Sequence, residues 1–206
     1  MTVSFKKPDL LKQHLVSFFE LDNFCKDKSS DFEFSPHLQH LDLKFRPAAV
    51  LISITYDKGE PKVVFTRRAK NLKQHPGQIA FPGGKVDQTD SSEMETAIRE
   101  CFEEISLSPS DIDMLGMLPR HNTVTGYCIS PFVAIIKNYE KLKPDSSEVS
   151  EIFKVPLEFL LEKKNMQLQS WVYSGHIRSY YAITYGPYYI WGATARIIKT
   201  FADLIG

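Results

Sequence analysis

The 206-residue chain is poor in cysteine, and its three cysteines do not form pairs. Cys25, Cys101 and Cys128 are far apart in the sequence, and no C-x-x-C motif is present. A disulfide framework or a structural zinc site normally needs closely spaced cysteines in defined patterns. We therefore expect neither of them here, and we expect reduced thiols, as in an intracellular compartment.

The sequence also lacks long hydrophobic runs and net charge. No stretch approaches the roughly 20 apolar residues that a membrane-spanning helix needs. The chain carries 25 Lys plus Arg and 25 Asp plus Glu, a formal net charge of zero, so binding to nucleic acid or to an anionic membrane through bulk charge is not expected. The N-terminal segment has no uncharged apolar core of a secretory signal, and the final FADLIG is not a Ser-Lys-Leu-type address. We expect a soluble, cytoplasmic protein.

The sequence contains both apolar residues at helical spacing and short apolar, β-branched runs typical of strands. Hydrophobic residues make up 43% of the chain, which is enough for the core of a single domain. A helical period and apolar or β-branched runs predict a series of elements, with residues 22–46 as a connector. Helices are predicted over residues 8–22, 91–105, 156–163 and 191–205, and strands over 48–57, 62–68, 113–120, 129–137, 149–156, 169–174 and 179–185. Residues 78–84 are predicted to be a short strand that runs into a tight turn at Pro-Gly-Gly. Many strands with a few helices between them indicate a mixed α/β domain.

The helix predicted at residues 91–105 concentrates acidic side chains. Glu100, Glu103 and Glu104 lie within about one turn, where like charges repel. On a helical wheel they share one side, and the opposite side is apolar and expected to face the core. That apolar side consists of Ala97, Ile98, Cys101, Phe102 and Ile105. Carboxylates at this density suit Mg²⁺ or Mn²⁺, and the alternative interpretation is a solvated acidic face.

A pair of glycines precedes this helix. Gly83 and Gly84 allow a sharp turn and a close approach of the backbone to a ligand. Asp87 and Asp90 follow, and either could add a carboxylate or cap the helix. The spacing is not that of an EF-hand, and no Gly-Lys-Ser/Thr sequence indicates a Walker loop. Neither G-x-S-x-G nor a Cys–His pairing indicates covalent catalysis.

Together the glycine pair and the acidic helix resemble the signature of the Nudix hydrolases, G-x5-E-x7-R-E-U-x-E-E-x-G-U, in which U is apolar. Gly84 begins the box, and RECFEEISL at residues 99–107 ends it. The chain departs from the signature at three points. The interval from Gly84 to Arg99 is one residue longer, Asp90 stands at the first glutamate position, and Ser106 replaces the last glycine. Asp90 is therefore a candidate partner for Arg99.

A second motif narrows the resemblance. Residues 66–84, TRRAKNLKQHPGQIAFPGG, are similar to the additional motif of coenzyme A diphosphatases, L-L-T-x-R-[SA]-x3-R-x3-G-x3-[FW]-P-G-G. The matching positions are Thr66, Arg68, Ala69, Gly77, Phe81, Pro82, Gly83 and Gly84. Lys73 replaces the second arginine, which keeps a positive charge but loses the planar guanidinium. Further similarity extends over about residues 45–200.

The resemblance implies a Nudix-type α/β/α sandwich with a mixed β-sheet over residues 45–206, preceded by an N-terminal helix and connector at residues 1–44. It implies metal-dependent hydrolysis of the diphosphate bond of coenzyme A or acyl-CoA, with 3',5'-ADP and 4'-phosphopantetheine or its acyl derivative as products. The cofactor would be Mg²⁺ or Mn²⁺.

The resemblance also assigns roles to individual residues. Glu100 and Glu104 would bind the metal, Glu103 would be a further ligand or the general base, and Arg99 would orient a carboxylate through a bidentate bond. Glu148 and Glu151 are alternative candidates for the base. Five residues would bind the substrate. They are Arg67, Arg68 and Lys73, together with the glycine pair Gly83 and Gly84.

Several alternatives remain open at this point. The substrate could be another nucleoside diphosphate derivative, such as ADP-ribose or NADH, or the chain could be a non-catalytic Nudix binding module. His75 and His121 are expected to be structural or merely exposed. Trp171 and Trp191 could stack on adenine, but aromatic residues more often fill a core or an oligomer interface. A homodimer is a further hypothesis.

Overall fold

The computed structural model describes residues 7–20, 29–34, 44–173 and 176–205. Much of the connector predicted at residues 22–46 lies outside these ranges. The helices are α1 Pro8–Glu20, α2 Glu93–Ile105, α3 Leu157–Leu161 and α4 Ala193–Ile205. The strands are β1 Ser29–Ser30, β2 Arg46–Asp57, β3 Glu60–Arg68, β4 Ile79–Ala80, β5 Gly83–Lys85, β6 Ile112–Met117, β7 His121–Asn122, β8 Tyr127–Ile136, β9 Val149–Pro156, β10 Met166–Tyr173, β11 His176–Tyr185 and β12 Tyr188–Trp191.

The long strand β2 lies at the centre of a mixed sheet that contains nine strands within the described residues. It runs parallel to β8 and antiparallel to β3 and β5. The predicted hairpin of β2 and β3 is confirmed. Its two-residue turn is Lys58-Gly59, both at positive φ (53° and 80°), as a tight hairpin turn requires.

Helices cover both faces of this sheet. On one face, α2 buries Ala97, Cys101 and Ile105 in a cluster that includes Ala49 and Leu51 of β2. On the other face, a larger cluster joins the sheet to α1, α3 and α4. Because side chains alternate along β2, each face receives every second residue. The predicted α/β/α arrangement with a mixed sheet is confirmed.

A second, three-stranded antiparallel sheet follows β9, in the order β10, β11, β12. The strands predicted at residues 169–174 and 179–185 correspond to parts of β10 and β11. Strand β12 was not predicted, and the helix expected from residue 191 begins at Ala193 instead. The reason is Gly192, whose φ of +66° turns the chain between strand and helix.

The segment at residues 78–84 was predicted to be a strand that runs into a tight turn at the glycine pair, and it forms two short strands. β4 pairs with β3, whereas β5 pairs with β2. Phe81-Pro82 separates them, and Pro82 has no N–H to continue a ladder. Its carbonyl oxygen nevertheless accepts a hydrogen bond from Leu51 N at 2.9 Å, which holds the glycine pair against β2.

The N-terminal helix α1 belongs to the larger cluster. Leu11 and Leu15 are fully buried there, as their helical spacing predicts. Phe19 packs so closely on Gly116 that a Cβ at this glycine would lie 2.3 Å from the ring. The division of the chain at residue 44 stays a prediction. Among the helices of the described ranges, none combines the length and the apolar character needed to cross a membrane.

Candidate active site

The acidic helix α2 begins at a well-capped N-terminus. Ser92 is the N-cap, and its Oγ accepts a hydrogen bond from Glu95 N at 3.1 Å. The Glu95 carboxylate in turn accepts one from Ser91 N at 2.7 Å. Such reciprocal capping satisfies backbone donors that the helix leaves unpaired. These hydrogen bonds fix the start of α2 at Glu93, directly after Ser92.

Arg99 is held by Asp90 through two parallel hydrogen bonds. Its Nε and Nη2 donate to Oδ1 and Oδ2 of Asp90, both at 2.9 Å. Asp90 also accepts from Asp87 N at 2.9 Å and from Thr96 Oγ1 at 2.8 Å. The Arg99 hydrogen bonds hold the pKa of Asp90 well below its usual range. Asp90 is thus confirmed as the carboxylate partner of Arg99, despite the longer interval in the box.

The remaining nitrogen of Arg99 lies between two glutamates. Nη1 donates to Glu100 Oε1 at 3.0 Å and to Glu103 Oε2 at 2.9 Å. Asp90 raises the pKa of Arg99 further above its usual range, so the guanidinium stays charged. This one cation therefore reduces the repulsion between Glu100 and Glu103, and the expectation that Arg99 orients a carboxylate agrees with these contacts.

Glu104 lies on the inner side of α2. Its side chain is 4% exposed, Gly83 N donates to its Oε2 at 3.2 Å, and Arg68 Nη1 lies 3.7 Å from its Oε1. Burial raises the pKa of Glu104 to about 8, and the charges of Glu100 and Glu148 add to this rise, whereas Gly83 N–H and Arg68 oppose it. Without a nearby divalent cation, this carboxyl is therefore hard to ionise at neutral pH.

The glycine pair contacts both inner glutamates. Gly83 has a φ of +150°, and a Cβ there would lie 2.3 Å from the carbonyl oxygen of Ala49. A Cβ on Gly84 would lie 2.3 Å from Glu100 Oε1. Glycine is needed at both positions, because any side chain would collide with β2 or displace the carboxylate. Gly83 and Gly84 thus position acidic ligands, and their predicted contact with substrate stays a prediction.

The predicted grouping of α2 side chains needs a correction. Phe102 was expected to face the core, but it is 56% exposed. Glu104 was expected on a carboxylate face separate from the core face, yet it is buried together with Cys101 and Ile105. The reason is the backbone of β5, which packs along the Glu104 side of the helix, so the buried side is rotated toward Glu104. Glu103 is the glutamate that faces solvent, with its side chain 56% exposed.

The residues present fit a hard divalent cation. In the described ranges, no three Asp, Glu, His or Cys side chains are arranged around a common point, since Arg99 holds Glu100 and Glu103. Burial also raises the pKa of Glu100. The charged forms of both Glu100 and Glu104 are therefore disfavoured at this position. A cation bound by Glu100 and Glu104 would relieve this, and the exposed Glu103 could join by rotating away from Arg99.

The two downstream candidates for a general base are in different environments. Both oxygens of Glu151 are occupied, because Tyr188 Oη donates to one at 2.7 Å and Arg67 Nε lies 3.4 Å from the other. Glu148 is exposed and close enough to the acidic site to raise the pKa of Glu100 and Glu104. Its carbonyl oxygen accepts from Ala69 N at 2.8 Å, which holds it beside the end of β3.

The predicted substrate-binding cations are likewise separated. Arg68 points toward Glu104, as described above. Arg67 is engaged with Glu151, and its guanidinium carbon lies 5.3 Å from the centroid of the Tyr188 ring. Lys73 is exposed in the loop between β3 and β4. Of the three, Arg68 is the one that the structure brings into the acidic site.

His121 and the two tryptophans have their partners in other parts of the molecule. His121 is fully buried between Ser29 Oγ at 2.7 Å and Asp31 Oδ1 at 3.0 Å, a structural role that agrees with the expectation. His75 is exposed. Trp171 and Trp191 pack edge to face with each other, 6.2 Å between centroids, in the small sheet. Sequence reasoning did not foresee Gly83 N–H as a donor to Glu104, or Tyr188 as the partner of Glu151; the FPGG sequence was the available signal for the first.

Comparisons with known proteins agree with these features. A family model described as the NUDIX domain matches residues 44–173. The chain is similar to proteins of Salmonella dublin and Escherichia coli K12, each named uncharacterized Nudix hydrolase NudL. The identities are 36% and 37% over 171 residues, which cover 83% of this chain and 88% of each relative.

A solved structure shows a similar fold. It is the MutT/nudix family protein from Enterococcus faecalis, with a TM-score of 0.50 and 18% identity. The alignment covers 85% of this chain and 68% of that one. At this level of identity the similarity concerns the fold alone.

Proposed function

The chain belongs to the Nudix hydrolases, and we propose that it hydrolyses the diphosphate bond of coenzyme A or an acyl-CoA. The products would be 3',5'-ADP and 4'-phosphopantetheine or its acyl derivative. The observation that carries the proposal is the motif at residues 66–84. Two parts of this motif lie next to the acidic helix α2. Arg68 is close to Glu104, and the backbone of the glycine pair contacts Glu100 and Glu104.

The proposed cofactor is Mg²⁺ or Mn²⁺, held by Glu100 and Glu104 with Glu103 as a further ligand. When bound, such an ion screens the phosphate charges and lowers the pKa of a coordinated water. The buried position of Glu104 supports this assignment, because burying a carboxylate is costly unless a cation compensates it. Asp90 and Arg99 keep Glu100 in place whether or not the ion is bound.

Hydrolysis also needs a base that accepts a proton from the attacking water. We assign this role to Glu148, because it is exposed, lies near both inner glutamates and is held by the Ala69 hydrogen bond. Glu103 is the alternative. Glu151 is a poor base, since Tyr188 and Arg67 already occupy its carboxylate.

Arg68 and Lys73 would bind the anionic groups of the substrate. A guanidinium can contact a phosphate through two N–H groups, whereas an ammonium acts as a compact charge. Arg67 contributes less in this proposal, because its side chain is engaged within β3 and β9. An enzyme with these two cations would bind substrates that carry a phosphate in addition to the diphosphate.

The test is a substrate panel with the purified full-length chain. CoA, acyl-CoA, ADP-ribose and NADH are incubated separately with Mg²⁺ or Mn²⁺, and the products are separated by chromatography. Release of 3',5'-ADP from CoA, faster than any cleavage of ADP-ribose or NADH, supports the proposal. Faster cleavage of ADP-ribose or NADH contradicts the CoA assignment, and no turnover with any substrate favours a binding module.

The assignment of the base is tested separately. We expect Glu148→Gln to lower kcat by roughly 100-fold or more, because the amide cannot accept the proton of the attacking water. The matched control is Glu151→Gln, three residues further along the same segment, whose effect on kcat should be much smaller. If Glu103→Gln abolishes turnover without weakening metal binding and Glu148→Gln does not lower kcat, the base is Glu103.

A further inference from the structure

Within the described residues, the small sheet has an edge strand whose own sequence carries none of the usual protection against pairing. β10 is paired with β11 on one side, and no strand of the described residues pairs with its other side. Its eight residues, MQLQSWVY, contain no charged residue and no proline, and its register with β11 is continuous. Long, uncharged and regular edge strands readily pair with another chain.

The other edge strands of six or more residues in the described ranges differ in this respect. β9 carries Glu151 and Lys154 and ends at Pro156. β6 contains Asp113, has an irregular register near Gly116, and is covered by α1. Charges, proline and irregularities are the devices that discourage edge pairing. Among these three edge strands, β10 alone lacks such devices. This difference indicates that the edge of β10 pairs with another strand.

Exposed apolar side chains lie on the same hairpin. Val172 of β10 is 75% exposed and its direct neighbour Ile177 of β11 is 68% exposed. Leu168, on the same face as Val172, is 55% exposed. Isolated exposed apolar residues are ordinary, but Val172 and Ile177 form a directly paired apolar patch beside the edge of β10, and Leu168 follows on the same face beyond Ser170. Apolar patches of this kind indicate an interface.

We propose that β10 pairs antiparallel with β10 of a second copy of this chain, which joins the two small sheets into one six-stranded sheet. A twofold axis perpendicular to the sheet keeps like faces together, so directly opposite residues must share a face. With the axis at Ser170, Leu168 of each copy lies opposite Val172 of the other, and Gln169 lies opposite Trp171. This register brings the exposed apolar side chains of the two copies side by side on either side of the Ser170 pair, where each covers the other from water. Because the edge of β10 is complementary to itself in this register, we take a second copy of the chain as its partner.

The test is the mass of the full-length protein in solution, measured by light scattering after gel filtration between about 1 and 200 μM. We expect the wild type to be a dimer at the upper concentrations. Ser170→Lys puts two ammonium groups opposite each other at the axis and should weaken dimerisation by roughly tenfold or more. The matched control is Ser179→Lys, because Ser179 is the direct partner of Ser170 on β11, with Oγ atoms 2.7 Å apart, but lies away from the edge.

The outcomes separate clearly. A wild type that remains monomeric at the highest concentration overturns the proposal, as does a Ser179→Lys variant that dissociates as readily as Ser170→Lys. Ser170→Cys provides a second measurement, since the two thiols would face each other and form an intermolecular disulfide under mild oxidation. An equal yield of cross-linked dimer from Ser179→Cys or from the wild type would also overturn the proposal.

Discussion

Replacing Glu104 by glutamine should stabilise the metal-free protein while it abolishes function. The exchange keeps the size of the side chain and an oxygen that can accept the hydrogen bond from Gly83 N. It removes the charge that burial disfavours. Glu104 therefore lowers the stability of the metal-free protein, although the proposed reaction requires it.

The magnitude follows from the pKa of Glu104, which burial raises from 4.5 to about 8. A carboxyl with a raised folded-state pKa binds a proton more tightly in the folded protein, so its ionisation subtracts stability. The cost is absent below pH 4.5, grows as the pH rises, and is constant above pH 8. At pH 7 it reaches about 3 kcal/mol, at about 1.4 kcal/mol for each pH unit above 4.5. Local relaxation and the loss of the Arg68 contact reduce the expected gain to about 1–3 kcal/mol.

The assay is urea denaturation in the presence of EDTA, at several pH values from 5 to 8. We expect the free energy of unfolding of Glu104→Gln to exceed that of the wild type at pH 7 and the difference to shrink toward pH 5. Glu103→Gln is the matched control, because Glu103 is exposed on the same helix and an exposed ion pair contributes less than about 1 kcal/mol. The reasoning is refuted if Glu104→Gln is less stable than the wild type at pH 7, or if its advantage does not depend on pH. With Mg²⁺ present, the variant should lose about 100-fold or more in kcat.

Four further predictions concern other parts of the molecule. Ser106 has a φ of +56° at the end of α2, so Ser106→Gly should stabilise the protein by about 0.5–1 kcal/mol in urea denaturation, and a loss of stability would contradict this. Gly84→Ala should displace the carboxylate of Glu100 and weaken Mn²⁺ binding by roughly tenfold or more in calorimetry, and unchanged binding would refute the steric argument. Arg68→Gln removes a cation that competes for Glu104, so Mn²⁺ should bind about 3- to 10-fold more tightly in the absence of substrate; weaker binding would mean that Arg68 mainly holds Glu104 in position. A chain trimmed to residues 44–173 should fail to fold into a soluble monomer, for the reason given at the end.

The sequence was sufficient to predict the elements whose signals are local. The hairpin of β2 and β3 follows from two apolar runs around Lys58-Gly59, and the start of α2 follows from Ser92 and the acidic residues after it. The pairing of Arg99 with Asp90 could be predicted as a candidate, because Asp90 stands at the position of the first glutamate of the signature. Each of these depends on residues that lie close together along the chain.

Other features could not be predicted, because they depend on distant contacts. A helical wheel places Glu104 beside Glu100, but it does not show that the backbone of β5 covers one of them and leaves the other partly accessible. For the same reason, the helical wheel wrongly predicts that Phe102 faces the core. Nor does the sequence separate Glu148 from Glu151, since their difference comes from Tyr188, a residue of β12 that pairs in another sheet.

The packing of α1 and α4 has a practical consequence for experiments on this family member. Recognisable similarity to the family model begins at residue 44 and ends at residue 173, so it omits both helices. Leu11 and Leu15 of α1 and Ile198 and Phe201 of α4 nevertheless share one buried cluster with the central sheet. The segment that the family model matches is therefore shorter than the segment that must be synthesised to obtain a cooperative fold.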